Sequence, residues 1–193
     1  MARIALLVSE QRMKDYTALD NNTRTEEITP FILNAQDVYI QDTLGTKFYD
    51  ELKDGVINGT LTSDEETLLN DYIAQPLMHF ALYLMLPTLK YKIVEKGLLS
   101  GTSEETQPTT LEELQYVRQS EKDLAEFYME RLREYLNDNP GLFPSYDNYG
   151  VDGMAPNKEN PYFSGLVTTG VKRYKTYYEN KCDECNPDLG PST

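Results

Sequence analysis

Two cysteines, Cys182 and Cys185, form a C-x-x-C near the C-terminal end of this 193-residue chain. Such a pair is half of a structural zinc site, which takes four ligands. The only histidine, His79, lies far away in the most apolar stretch. A half-site shared between subunits is one reading of the cysteines. Free thiols in a reducing compartment are the default. A second candidate is the run Lys172, Arg173, Tyr174, Lys175, Tyr177 and Tyr178, which interleaves cations with aromatic rings. That composition suits a nucleic-acid contact and equally a contact with another subunit. The surrounding acidity favours the subunit. The sequence holds no G-x-S-x-G, Gly-rich phosphate loop, H-E-x-x-H or calcium loop. Its carboxylates sit on helix faces, where solubility accounts for them. The residues therefore predict no enzyme, no catalytic group, no metal site and no cofactor.

Lys plus Arg is 18 against 32 Asp plus Glu, a formal charge of -14. A field of that sign does not grip nucleic acid, whose phosphates are bound by neutralising them. It suits a channel through which DNA slides without sticking, although ordinary solubility is the commoner reason for such a balance. Ile4 to Val8 is too short for a signal-peptide core, which predicts a protein made and kept in a cytoplasm.

The elements that must position these groups are helical. Thr62 to Glu66 is a helix-start signature, with Glu65 placed to reach back to Thr62. From Tyr72 to Leu89 there is no formal charge, and apolar residues occupy every side of the implied helix. Such a helix is a central core helix or a membrane span. Gln75, Pro76, His79, Pro87 and Thr88 interrupt the run, and it is short for a bilayer, so no membrane association is expected. Pro76 predicts a break or kink near Gln75, with the helix restarting at the proline. The expected helices are 30–44, with Thr29 as cap and Pro30 in the first turn, then 46–58, 63–96 and 110–138. In the last, Thr110 and Glu113 match a capping box. Its residues Leu111, Leu114, Val117, Leu124, Phe127, Tyr128, Leu132, Tyr135 and Leu136 predict one buried side. Residues 3–9 read as a short strand or extended arm, 10–15 as a short helical turn, and 97–109 as a connecting loop.

Beyond Gly141 the character changes to Tyr, Asn, Pro and Gly with no helical period. Leu166 to Tyr178 has the composition of a strand or hairpin. The fold class expected is all-α, a helical bundle with long central helices over 1–140, followed by an extended C-terminal arm over 141–193. The arm is expected to lie away from its own bundle. It would contact neighbouring subunits, with Lys172, Arg173 and Lys175 as candidates to meet acidic helix faces next door, and Glu112, Glu113, Glu121 and Glu126 as candidates for those partners or for solvent.

LVSEQRMKDYTALDNN at 7–22, ITPFILNAQDVYIQDTLGTKFYDEL at 28–52 and the apolar helix after them carry a resemblance. The most telling parts are Ala35-Gln36, the stretch Ile40 to Gly45, and Tyr49 to Leu52. In these parts, about half the chain, the sequence resembles the head–tail connector proteins (adaptors, or neck rings) of tailed bacteriophages, in the version found in phages of gut Bacteroidota, including the crAss-like group. The resemblance implies a structural virion protein with no catalytic residue. It implies a small helical bundle that assembles as a homo-oligomeric ring, typically twelvefold, below the portal protein. Other neck or tail proteins would join it, and DNA would pass through the channel without specific binding. Its place would be the head–tail junction of a virion assembled in the host bacterial cytoplasm. The rival reading is a small helical zinc- or nucleic-acid-binding regulatory protein that uses the C-x-x-C and the basic-aromatic run.

Overall fold

The computed structural model describes residues 4–94, 97–100, 110–150 and 153–158. The described residues form an all-α bundle built on three long helical runs. The helices are α1 (Glu10–Tyr16), α2 (Thr25–Ala35), α3 (Gln41–Leu44), α4 (Thr46–Asn58), α5 (Ser63–Thr67), α6 (Ala74–Lys90), α7 (Leu111–Asp138) and α8 (Pro144–Asp147). Two widened π turns, Gln36–Ile40 and Leu68–Ile73, make α2 continuous with α3 and α5 continuous with α6.

α6 is the core element, as its charge-free sequence requires. Ile73, Ala74, Leu77, Met78, Phe80, Ala81, Leu82 and Met85 are all buried. Each large apolar side chain so placed contributes roughly 1.5–3 kcal/mol before entropy is set against it. α2 and α7 flank it, and Tyr39 stacks on Phe80 at 3.8 Å. No helix of the described residues is long and apolar enough to cross a membrane.

The capping boxes at Thr62–Glu65 and Thr110–Glu113 both form, and α1 follows its Ser9 cap. Several local expectations change. The helix expected at 30–44 begins at Thr25, not at Thr29-Pro30. Glu26 and Glu27 favour the N-terminal end of its dipole. The exposed Pro30 leaves a carbonyl one turn back to water. The Thr29 hydroxyl lies 2.8 Å from Glu10 Oε1 and 3.0 Å from the Thr25 carbonyl, tying α1 to α2 instead of capping.

Pro76 does not break its helix. In the π turn just before it the Ala74 amide bonds to Leu69, five residues back. That wider turn relaxes the crowding a proline ring causes on an ordinary α-turn. At the far end the helix stops at Lys90, short of 96. Tyr91–Val94 pairs antiparallel with Gly97–Ser100 where helix end and loop were expected. Pro87 removes a hydrogen bond from the last turns, and a β-branched pair, Ile93-Val94, comes after it.

Residues 4–9 form no strand. Gln36, fully buried, holds them by their backbone: its Oε1 accepts from the Leu7 amide at 2.8 Å and its Nε2 donates to the Ala5 carbonyl at 3.2 Å.

The segment after Gly141 does not leave the bundle at once. Phe143 and Tyr146 are buried in the core cluster, packed against Phe48 of α4. Residues 153–158 then strap across the α3–α4 corner. The Thr46 amide donates to the Met154 carbonyl and the Asn157 amide to the Asp42 carbonyl, each at 2.9 Å. Asn157 Nδ2 donates to Asp42 Oδ2 at 3.0 Å. The compact unit runs to Asn160. The expectation that the chain lies away from its bundle from 141 onward is therefore corrected for residues 141–150 and 153–158. These residues supply aromatic rings that the core lacks without them.

Candidate subunit interface

α7 decides what the molecule can present to a neighbour, because it carries apolar residues on two sides. The inner side is anchored along α6, running antiparallel to it. Tyr135 stacks on Tyr72 at 3.9 Å. His79 stacks on Tyr128 at 5.7 Å, and its Nδ1 lies 2.8 Å from Glu121 Oε2. Arg118 reaches the Tyr83 carbonyl at 3.3 Å and covers the Tyr83 ring at 4.2 Å. Ala125, Met129, Leu132 and Leu136 are buried between these contacts. The lone histidine is thus a packing residue held by a carboxylate.

Arg133 is the one charged residue buried on this side among the described residues. Its Nη2 stands 3.4 Å from Thr43 Oγ1, and its Nε has no hydrogen-bond partner there. Burial lowers its pKa, and the nearby Asp42 partly opposes that shift. Asp42 also receives the strap through Asn157, so the cation lies beneath the corner where the strap is fastened.

The outer side of α7 is uncovered. Tyr116 is 78% exposed, Phe127 59%, Val117 44% and Leu124 39%, whereas Leu111, in line with Met129 on the inner side, is exposed at the helix start. The expectation of one buried side holds for Leu132 and Leu136 and, in part, for Leu114, Tyr128 and Tyr135. It fails for Leu111, Val117, Leu124 and Phe127. Only one face of a helix can meet α6, and the small Ala125 takes the place at the contact that the bulkier neighbours were expected to fill. Sequence reasoning also missed Tyr116. Its signal was an excess of apolar residues over what a single stripe holds.

The acidic residues expected to meet a neighbour's cations are mostly engaged within the chain. Glu113 closes the capping box, Glu121 holds His79, and Glu126 pairs with Lys122 at 3.3 Å. That pairing raises the Lys122 pKa. Glu112 is exposed.

The candidate contact residues Lys172, Arg173, Tyr174, Lys175, Tyr177 and Tyr178, and the pair Cys182 and Cys185, lie outside the described residues. So does the expected strand or hairpin at 166–178. Among the described residues no group of three or more His, Cys, Asp or Glu side chains is placed to hold a metal ion.

Comparison with curated proteins and with solved structures returns no match. A family model matches residues 40–151, from the first π turn through α7 to the chain just past α8. The matched region therefore takes in both the α6–α7 core and the uncovered face, and the chain belongs to the family of unknown function DUF6712.

Proposed function

We propose that this protein is a structural subunit of a head–tail connector ring in a tailed bacteriophage, joining the portal to the tail around a channel for DNA. The uncovered apolar face of α7 carries the reading. Large apolar side chains gathered on one exposed helix face mark an interaction surface, and a ring subunit needs such surfaces. The resemblance of residues 7–52 to connector proteins supplies the kind of assembly. The formal charge of -14 agrees with a lumen that DNA crosses without adhering. In this reading the subunit acts by position and shape, with the portal on one side of it and other neck or tail proteins on the other.

Electron microscopy of the purified protein and of intact particles tests the proposal. Closed rings of one subunit type, and copies at the head–tail junction, are the expected result. A protein that stays monomeric, is absent from particles and carries stoichiometric zinc would instead establish the regulatory reading built on Cys182 and Cys185.

A further inference from the structure

Arg133 is a cation that the folded chain buries without a carboxylate partner. It is 9% exposed, and a buried charge is costly unless partners offset it. Its Nη2 makes a long contact, 3.4 Å, with Thr43 Oγ1. That hydroxyl is itself turned to Met129 Sδ at 3.3 Å. Arg133 Nε has no hydrogen-bond partner in the chain. Asp42 and Glu130 are the carboxylates within electrostatic reach, yet among the described residues neither forms an ion pair with it. Asp42 is turned instead to the strap at 153–158. Its Oδ2 accepts from Asn157 Nδ2 at 3.0 Å, and its carbonyl accepts from the Asn157 amide at 2.9 Å. A carboxylate bonds a guanidinium more strongly than it bonds a neutral amide. Asp42 therefore holds the weaker of two partners within its reach.

The strap that takes up Asp42 is fastened at the surface. Of residues 153–158 only Pro156 is buried. Met154 and Thr46 exchange two hydrogen bonds, each 2.9 Å: the Thr46 amide donates to the Met154 carbonyl, and the Met154 amide donates to Thr46 Oγ1. Lys158 Nζ stands 3.6 Å from Asp147 Oδ1 and 4.3 Å from the centre of the Tyr146 ring. A part-exposed ion pair of that length contributes little. Few buried apolar groups and hydrogen bonds close to solvent mark a segment that opens at lower cost than the core.

We infer that residues 153–158 are a latch that opens while the bundle stays folded, and that Asp42 then exchanges its bond to Asn157 for an ion pair with Arg133. The latch has two arrangements because one carboxylate serves two donors in turn. Closed, it ties the chain to the α3–α4 corner and leaves Arg133 without an ion pair. Open, it admits water to the corner and gives the cation a partner. Lys47 Nζ still holds the Asn148 carbonyl at 2.8 Å, so the chain is released only beyond that point. It gains about ten residues of free length, up to ~33 Å. The sequence that follows, with Lys172, Arg173 and Lys175, gains the same reach.

Native-state hydrogen exchange of the full chain, read by NMR, tests the latch. The Thr46 and Asn157 amides are the reporters, because each donates between strap and corner. The amides of Leu7, bonded to buried Gln36, and of Ala81, buried in α6, report the bundle. In wild type Thr46 and Asn157 are expected to exchange together, at least about 100-fold faster than Leu7 and Ala81. Arg133→Met removes the open-state partner and should slow both reporters about three- to tenfold. Asp42→Asn decides the sign. If Asp42 only fastened the strap, an amide in its place would hold Asn157 more weakly and exchange would quicken. With the exchange of partners, the open state loses an ion pair and the closed state only a charge-assisted bond, so exchange slows. Reporters no faster than Leu7 and Ala81 would show that there is no latch. Exchange that quickens or stays the same in Asp42→Asn, or is unchanged in Arg133→Met, would show that the two side chains do not pair on opening and would overturn the inference. Asp42→Asn keeps size and shape, and carries the decision alone if Arg133→Met does not fold.

Discussion

The Leu7 amide donates to Gln36 Oε1 at 2.8 Å in the fully buried interior of the bundle. The same side chain donates to the Ala5 carbonyl, so one amide group takes the place of a neighbouring strand for the N-terminal segment. The arrangement gives a physical reason for glutamine at 36. A buried backbone donor and acceptor each need a partner, and the neutral amide of glutamine serves both at once.

Gln36→Ala is expected to lower stability by about 2–4 kcal/mol, since two buried backbone groups lose their partners at ~1–3 kcal/mol each and recover part through water. Gln36→Glu separates the two roles. Its carboxylate still accepts from Leu7 but cannot donate to Ala5, whereas the protonated acid does both. Denaturant titrations of Gln36→Glu and wild type at neutral and mildly acidic pH should show a smaller difference in acid. A difference independent of pH would contradict the donor role.

Tyr49 titrates in the alkaline range. Its hydroxyl is buried and donates to Asp37 Oδ1 at 2.6 Å. Burial first, and then the Asp37 hydrogen bond, raise its pKa well above the usual value of 10.0. The neutral phenol is therefore favoured in the folded chain. Its contribution to stability is complete below pH ~10, where the unfolded tyrosine still holds its proton. It is lost as pH rises from there through the folded-state value. Tyr49→Phe should flatten this alkaline decline and cost about 0.5–1.5 kcal/mol at neutral pH. Thermal melts of both proteins across pH 8–11 measure it. Parallel curves would show that the Tyr49 proton does not contribute.

Gly45 lies at φ 76, ψ 158 between α3 and α4, and a Cβ there would stand 2.8 Å from Pro156. Gly45→Ala therefore meets both an unfavourable backbone region and the strap. A loss of about 2–4 kcal/mol is expected from the two effects together. The double change Gly45→Ala with Pro156→Ala should recover the part owed to the proline ring and leave the part owed to the Pro156 backbone nitrogen, also 2.8 Å away, and to the unfavourable backbone region. Melting temperatures of the two single variants and the double variant apportion them.

Truncation at two points tests where the core ends. A chain ending at Lys158 keeps Phe143, Tyr146 and the strap, and should unfold cooperatively near the wild-type midpoint. A chain ending at 140 loses two buried aromatic side chains, together worth roughly 3–6 kcal/mol, and is expected to be marginal or unfolded. Equal stability of the two truncations would show that residues 141–158 contribute nothing to the bundle.

Much of the fold was legible in local residues, because helix starts and core helices are written in short-range chemistry. Thr62 with Glu65 and Thr110 with Glu113 announce their caps over three residues. The uncharged run from Tyr72 to Leu89 can be satisfied only by burial. Tertiary structure decided the rest, since it turned on which surfaces were left for contact once α6 had chosen its partners. The apolar rows of α7 look alike in sequence, yet only the row through Ala125, Met129, Leu132 and Leu136 faces α6, and Val117, Leu124 and Phe127 are left to solvent. Pro76 resembles a helix break until the π turn before it is seen to relieve its crowding. Phe143 and Tyr146 show no period at all, because an irregular segment is held by cavities in its partners, and those cavities exist only after the bundle has formed.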